Sequence, residues 1–221
     1  MCTQISDSVR LLKLCVLYGY NASEKTNLLK ALGFVRTLVL SGPDTKDKET
    51  RKQPGTFSLI FFINKIRYEY TVCIDRKRIY HESLRFSPEG RVATLFTRSF
   101  DVENSVSKLI IGAKCSLSAK DKTILNGNTL ENSTVLHAYW KSNIHSPALD
   151  TAILYFKETL MPMITPSVLL RDWSLERLGG DIKMKQFYVK FLEKADFQIA
   201  DLAIKNNRIS VDDELRNNLT E

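Results

Sequence analysis

The 221-residue chain is 43% hydrophobic and 26% charged, enough apolar material for one sizeable core or two small ones. Its 32 Lys and Arg outweigh 25 Asp and Glu, and the net charge of +7 permits nucleic-acid binding without requiring it. No apolar run reaches the roughly 20 residues of a membrane helix, and residues 1–10 lack the charged-then-apolar order of a signal peptide, so a cytoplasmic protein without a membrane partner is expected.

The first predicted element is a buried strand over Leu11–Tyr18 (LLKLCVLY), a short apolar run rich in β-formers. Next comes Gly19-Tyr20-Asn21-Ala22-Ser23-Glu24-Lys25-Thr26, which fits the phosphate-loop pattern G-x-x-x-x-G-K-[ST] everywhere except at Glu24, where the second glycine belongs. From Lys25 to about Leu40 the residues Leu28, Leu29, Leu32, Val35 and Val39 recur at helical spacing. Strand, loop and helix together make a phosphate cradle, because loop N–H groups and the positive helix end converge on one anion. The candidate binding set is Gly19, Asn21, Ala22, Ser23, Lys25, Thr26 and Asn27. Within it, Lys25 reaches the terminal phosphates and Thr26 offers its hydroxyl to Mg²⁺.

Residues 42–56 are polar, charged and bounded by prolines, which marks an exposed connection. Phe57–Ile63 and Ile66–Ile74 read as a hairpin turning at Asn64-Lys65 with one wet face. Ile79–Phe86 and Val92–Phe96 extend a meander through a Ser87-Pro88-Glu89-Gly90 turn. Beyond residue 100 the pattern is mainly helical, clearest over Ser146–Met161 and Gln186–Phe197. The expected organisation is thus 1–41 strand, loop and helix, 42–56 connection, 57–100 antiparallel meander and 101–221 helical region. Cys2, Cys15, Cys73 and Cys115 are widely spaced and read as free thiols, with Cys15 and Cys73 in apolar strands. His81, His137 and His145 form no ligand cluster by spacing. Arg76-Lys77-Arg78 beside Asp75 reads as a solvated turn or, alternatively, a DNA-contacting loop.

The stretch LYGYNASEKTNLLKALGFVRTLV resembles the loop region of ABC-type ATPases of the RecF, SMC and OLD-like branch, especially the AAA-type ATPases linked to abortive infection. Those proteins typically read G-x-N-A-S-G-K-S-N-L-L-K-A-L, and Asn21, Ala22, Ser23, Lys25, Asn27, Leu28, Leu29, Lys30, Ala31 and Leu32 match. The segment from Phe57 to Phe100 is similar to the antiparallel block that follows the loop in that family. The resemblance implies an α/β fold, an incomplete ABC-type P-loop ATPase head with an antiparallel meander and a helical C-terminal region. It also implies ATP and Mg²⁺ as ligands and a homodimer or a complementary ATPase half as partner, and it permits DNA.

The chain departs from the family in three ways. No apolar strand ends in the Asp-Glu pair that holds Mg²⁺ and polarises water; Asp75 enters a turn, and Asp212-Asp213-Glu214 lacks a preceding strand. Leu178-Gly179-Gly180-Asp181 lacks the serine of a signature loop and reads as a helix terminator. Only about ten residues precede the loop strand, so a partial chain is expected. Glu24 separates the two functional classes that remain. A carboxylate about 5 Å from a phosphate at an effective dielectric near 20 costs roughly 3 kcal/mol, about two orders of magnitude in affinity. Either the chain is an ATP-binding protein with weakened binding and no turnover alone, or it is a non-catalytic remnant or interaction module that keeps the loop without its ligand.

Overall fold

A computed structural model describes residues 2–5, 9–20, 25–42, 53–164, 171–194 and 201–203. The chain forms two compact units, Met1–Met163 and Ile164–Glu221. The first unit is mixed α/β, with helices over one face of a five-stranded antiparallel sheet.

In that unit, β1 (Cys2–Gln4) and β2 (Arg10–Leu12) make a three-residue antiparallel pair, followed after the loop by α1 (Lys25–Leu40). The sheet is a plain meander of β3 (Gly55–Ile63), β4 (Ile66–Ile74), β5 (Ile79–Ser87), β6 (Ala93–Asp101) and β7 (Val106–Ile111). The helices α2 (Ala119–Asn128), α3 (Val135–Trp140) and α4 (Pro147–Leu154) follow, and α4 widens into a π turn over Tyr155–Thr159.

The hairpin expected at Asn64-Lys65 forms there. Both residues take left-handed backbone angles (φ 49° and 66°), so the turn twists with the strands and pairs Ile63 with Ile66. That register sends alternate residues to opposite faces. Phe57, Leu59 and Phe61 stand opposite Val72, Tyr70 and Tyr68, and the next strand continues the inner face with Leu84 and Phe86. The outer face carries an aligned row of hydroxyls, Ser58, Thr71, Ser83 and Thr97. Beside that row Glu69 lies between Arg67 and Arg85, which form ion pairs with it.

Val35, Leu38 and Val39 of α1 are buried in the core that also holds Leu136 and Phe156, while Phe34 meets Phe57 at 5.2 Å between ring centroids. Phe61 is stacked on Tyr155 at 3.9 Å and on Tyr68 at 5.3 Å, with Phe156 edge-on at 5.7 Å. Rings in these offset and edge arrangements bury large areas with a further gain of about 0.5–1.5 kcal/mol per pair. Where β7 leads back toward the helices, Gly112 permits a close crossing over β6: a Cβ there would sit 2.0 Å from the Thr94 carbonyl oxygen. Its own N–H donates to the Leu95 carbonyl at 2.8 Å.

Two expectations are corrected here. The meander does not end at Phe100: β6 runs to Asp101, whose Oδ1 accepts from the N–H groups of Glu103 and Asn104, and this turn delivers a fifth strand. Leu11–Tyr18 is not a buried strand. Only Arg10–Leu12 pairs, residues 14–19 have no regular structure, and Cys15 is exposed. A continuous apolar run suits a strand covered on both faces. Among the described residues its only strand partner is the three-residue β1.

The second unit contains α5 (Arg171–Gly180) and α6 (Ile182–Lys194). The expected glycine terminator ends α5 at Gly180. Asp181 then caps α6, accepting from the N–H groups of Lys183 and Met184, so the helix begins earlier than the apolar spacing from Gln186 suggests. Among the described residues no helix is long and apolar enough to cross a membrane.

Candidate functional site

The helix expected after the loop has the bounds Lys25–Leu40 and carries no acidic residue in its first turn, so its positive end is not neutralised from within. Lys25 is half-buried, and its Nζ reaches back across the loop to donate to the carbonyl oxygens of Gly19 at 2.8 Å and Tyr20 at 2.6 Å. Thr26 and Asn27 are exposed on the first turn. The structure therefore brings Gly19, Lys25, Thr26 and Asn27 to one end of α1. Asn21, Ala22, Ser23 and Glu24 lie outside the described residues.

The two loop carbonyls take two of the three ammonium donors of Lys25, beside a helix N-terminus of the kind that favours an anion. A magnesium site is less well provided for. Thr26 offers one hydroxyl, and among the described residues no group of three or more His, Cys, Asp or Glu could hold a metal ion. Asp75 is spent on its own turn. Its Oδ1 accepts from the N–H groups of Lys77 (2.7 Å) and Arg78 (2.8 Å), and its Oδ2 accepts from the Tyr80 hydroxyl. Burial works against its charge, but these hydrogen bonds outweigh it and hold the carboxyl below its usual range. Asp212, Asp213 and Glu214 lie outside the described residues.

No protein-family model, curated protein or solved structure matches the chain.

The basic turn is structural at Arg78, whose guanidinium stacks over the Phe100 ring at 4.3 Å and pairs with Glu131 at 3.1 Å. Two polar clusters were not anticipated from sequence. In the first, Glu82 and Arg98 are register partners on β5 and β6, and both are fully buried. Glu82 accepts from the Tyr70 hydroxyl at 3.0 Å and from the Val135 N–H at 2.7 Å, where α3 begins. Burial pushes its carboxyl up to about 7, against the pull of Val135 and Arg98. Arg98 donates to Ser107 Oγ (2.7 Å) and to the carbonyls of Ser133 (2.6 Å), Leu130 (2.9 Å) and Glu131 (3.1 Å). The pair thus fastens the segment before α3 to the sheet. A charged residue at an inward position of each of two adjacent strands is the signal that finds it.

The second cluster superficially has hydrolase chemistry: His145 Nδ1 lies 2.6 Å from Asp150 Oδ2, with Ser146 next door. Ser146 Oγ, however, donates to the Cys115 carbonyl at 2.6 Å, and its N–H donates to the Tyr139 hydroxyl at 2.8 Å. It is a fully buried joint between α3 and α4 rather than a nucleophile. Cys115 is equally inert. Its Sγ donates to the Leu95 carbonyl, and burial pushes the thiol up to about 12.

Proposed function

We propose that the chain is a P-loop nucleotide-binding protein of the ABC and AAA ATPase type, with an incomplete ATPase head that engages ATP weakly and does not turn it over alone. The observation that carries this reading is the Lys25 ammonium folded onto the Gly19 and Tyr20 carbonyls at the start of a 16-residue helix. Lys25 would meet the terminal phosphates, and Thr26 would offer its hydroxyl to Mg²⁺, which when bound neutralises charge on the phosphates. Glu24 immediately precedes the helix, where its carboxylate competes with an anionic ligand for the same positive end. With no carboxylate among the described residues grouped to complete the metal shell, hydrolysis would need a second copy or a complementary ATPase half. The reading implies a cytoplasmic protein, because that is where its ligand is.

Calorimetry with ATP and Mg²⁺ on three forms tests the proposal. Wild type is expected to bind weakly, Glu24→Gly to tighten binding by up to about 100-fold, and Lys25→Ala to abolish it. Equal heats from all three would exclude a phosphate loop. The Glu24→Gly protein is further expected to release no phosphate by itself, since that change restores the loop but adds no carboxylate.

A second reading, an interaction module that has kept the loop without its ligand, is favoured by one observation. The segment that should anchor the loop from a sheet is exposed from Leu11 to Tyr20. Unmeasurable nucleotide binding in Glu24→Gly would select that reading.

A further inference from the structure

Away from the phosphate loop, the C-terminal end of α2, the turn over residues 130–133 and α3 enclose a cleft of about 570 Å³. That volume falls within the roughly 300–1,000 Å³ of small-molecule sites. We propose that this cleft binds a small anion bearing a phosphate or carboxylate group, held by Lys141 and His137 with the side-chain amides of Asn128 and Asn132.

The chemistry of the lining selects the charge of the ligand. Lys141, His137, Asn128, Asn132 and Ser133 line the cleft beside the apolar Leu130 and Ala138, and among the described residues no carboxylate lines it. The acidic residues nearest in sequence are engaged elsewhere: Glu131 pairs with Arg78 at 3.1 Å, and Asp121 accepts from the Ser118 hydroxyl at the start of α2. Positive charge beside a concave surface concentrates anions.

The wall is also built rather than incidental. Arg98, with no exposed surface, draws the carbonyls of Leu130, Glu131 and Ser133 inward. The described peptide bonds are all trans, so the Asn132 N–H, opposite the Glu131 carbonyl that Arg98 holds, faces away from that guanidinium. Asn132 lines the cleft, and an amide turned outward on a fixed turn favours an anion. On the opposite side, Thr134 Oγ1 accepts from the His137 N–H at 2.9 Å, and His137 Nδ1 lies 3.3 Å from the Val39 carbonyl at the end of α1, which fixes the ring. The His137 ring is therefore preorganised, which reduces the ordering cost of binding.

The test is an NMR titration of the full-length chain carrying Lys25→Ala, so that the phosphate loop does not contribute. Inorganic phosphate and citrate serve as probes, with sodium chloride at matched ionic strength as the control. Expected are saturable shifts centred on the His137 ring and on the amides of Asn132 and Lys141, in the millimolar range, and none with chloride. A preference for phosphate assigns a phosphorylated ligand, and a preference for citrate a carboxylate. Lys141 is exposed, so Lys141→Glu keeps the fold and is expected to weaken binding at least tenfold. Asn132→Asp provides a second test from the other wall, with the same expected direction. Shifts that do not saturate, that chloride reproduces, or that survive both substitutions would overturn the proposal.

Discussion

Residues 10–20 and residues 55–111 draw on the same kinds of side chain, yet their fates are opposite. Tyr70, Val72 and Leu84 have no exposed surface, whereas Leu14 is 78%, Val16 69% and Tyr18 92% exposed. Both regions are rich in β-formers. In the meander, apolar residues alternate with polar ones and each strand is joined to the next by a short turn, so each strand finds a hydrogen-bonded neighbour as the register is set. In the N-terminal segment the apolar run is continuous, and among the described residues its only strand partner is the three-residue β1. Apolar content therefore supplies the drive to be buried, while a neighbouring strand decides whether burial occurs.

The comparison predicts that single changes in the two regions will differ severalfold in effect. Arg98→Ala should cost about 3–5 kcal/mol in urea unfolding, because it strands the carbonyls of Leu130, Glu131 and Ser133 and leaves the Glu82 charge without its opposite. A loss under about 1 kcal/mol would show that the buried cluster does not hold the segment before α3 to the sheet.

The pH dependence of the same cluster is the next largest effect. The folded-state value for Glu82, about 7, lies above the usual 4.5, so its contribution to stability is fully present below the unfolded value and is lost as pH rises through the folded one. The groups facing it are Tyr70 from β4, Arg98 from β6, and the N–H groups of Val135 and Leu136 at the start of α3. Glu82→Gln should flatten the stability profile between about pH 5 and about pH 8 by on the order of 2–3 kcal/mol. A profile unchanged by the substitution would mean that other groups control it.

At the small end, Leu14→Ser should alter unfolding free energy by no more than about 0.5 kcal/mol, as expected for an exposed position. A cost above about 1.5 kcal/mol would place Leu14 in a packed interface and reverse the comparison.

Much of the meander was legible because its cues are local. Asn64-Lys65 and Ser87-Pro88-Glu89-Gly90 mark turns, and period-two alternation assigns faces between them. The strand Val106–Ile111 was missed although it also alternates, since its turn depends on the Asp101 side chain accepting from two backbone N–H groups rather than on a Gly or Pro. Of the candidate site, the motif made Lys25, Thr26 and the helix behind them legible. The attachment of Lys25 to the Gly19 and Tyr20 carbonyls was not, because it depends on how the loop curls.

What the sequence determined by itself is the set of elements with short-range causes: a helix from Lys25 to Leu40, a hairpin over residues 57–74, a glycine stop before Asp181, and a phosphate-loop pattern interrupted at Glu24. What only the tertiary structure decided is which apolar segments are covered and which polar groups meet. Leu11–Tyr18 carries the composition of a core strand and lies exposed, while Glu82 and Arg98 carry the composition of a surface and lie fully buried. In both cases the deciding quantity is the supply of neighbours, strands for one and hydrogen-bond partners for the other. These come from residues distant in sequence, as when Arg98 reaches Ser133 across 35 positions.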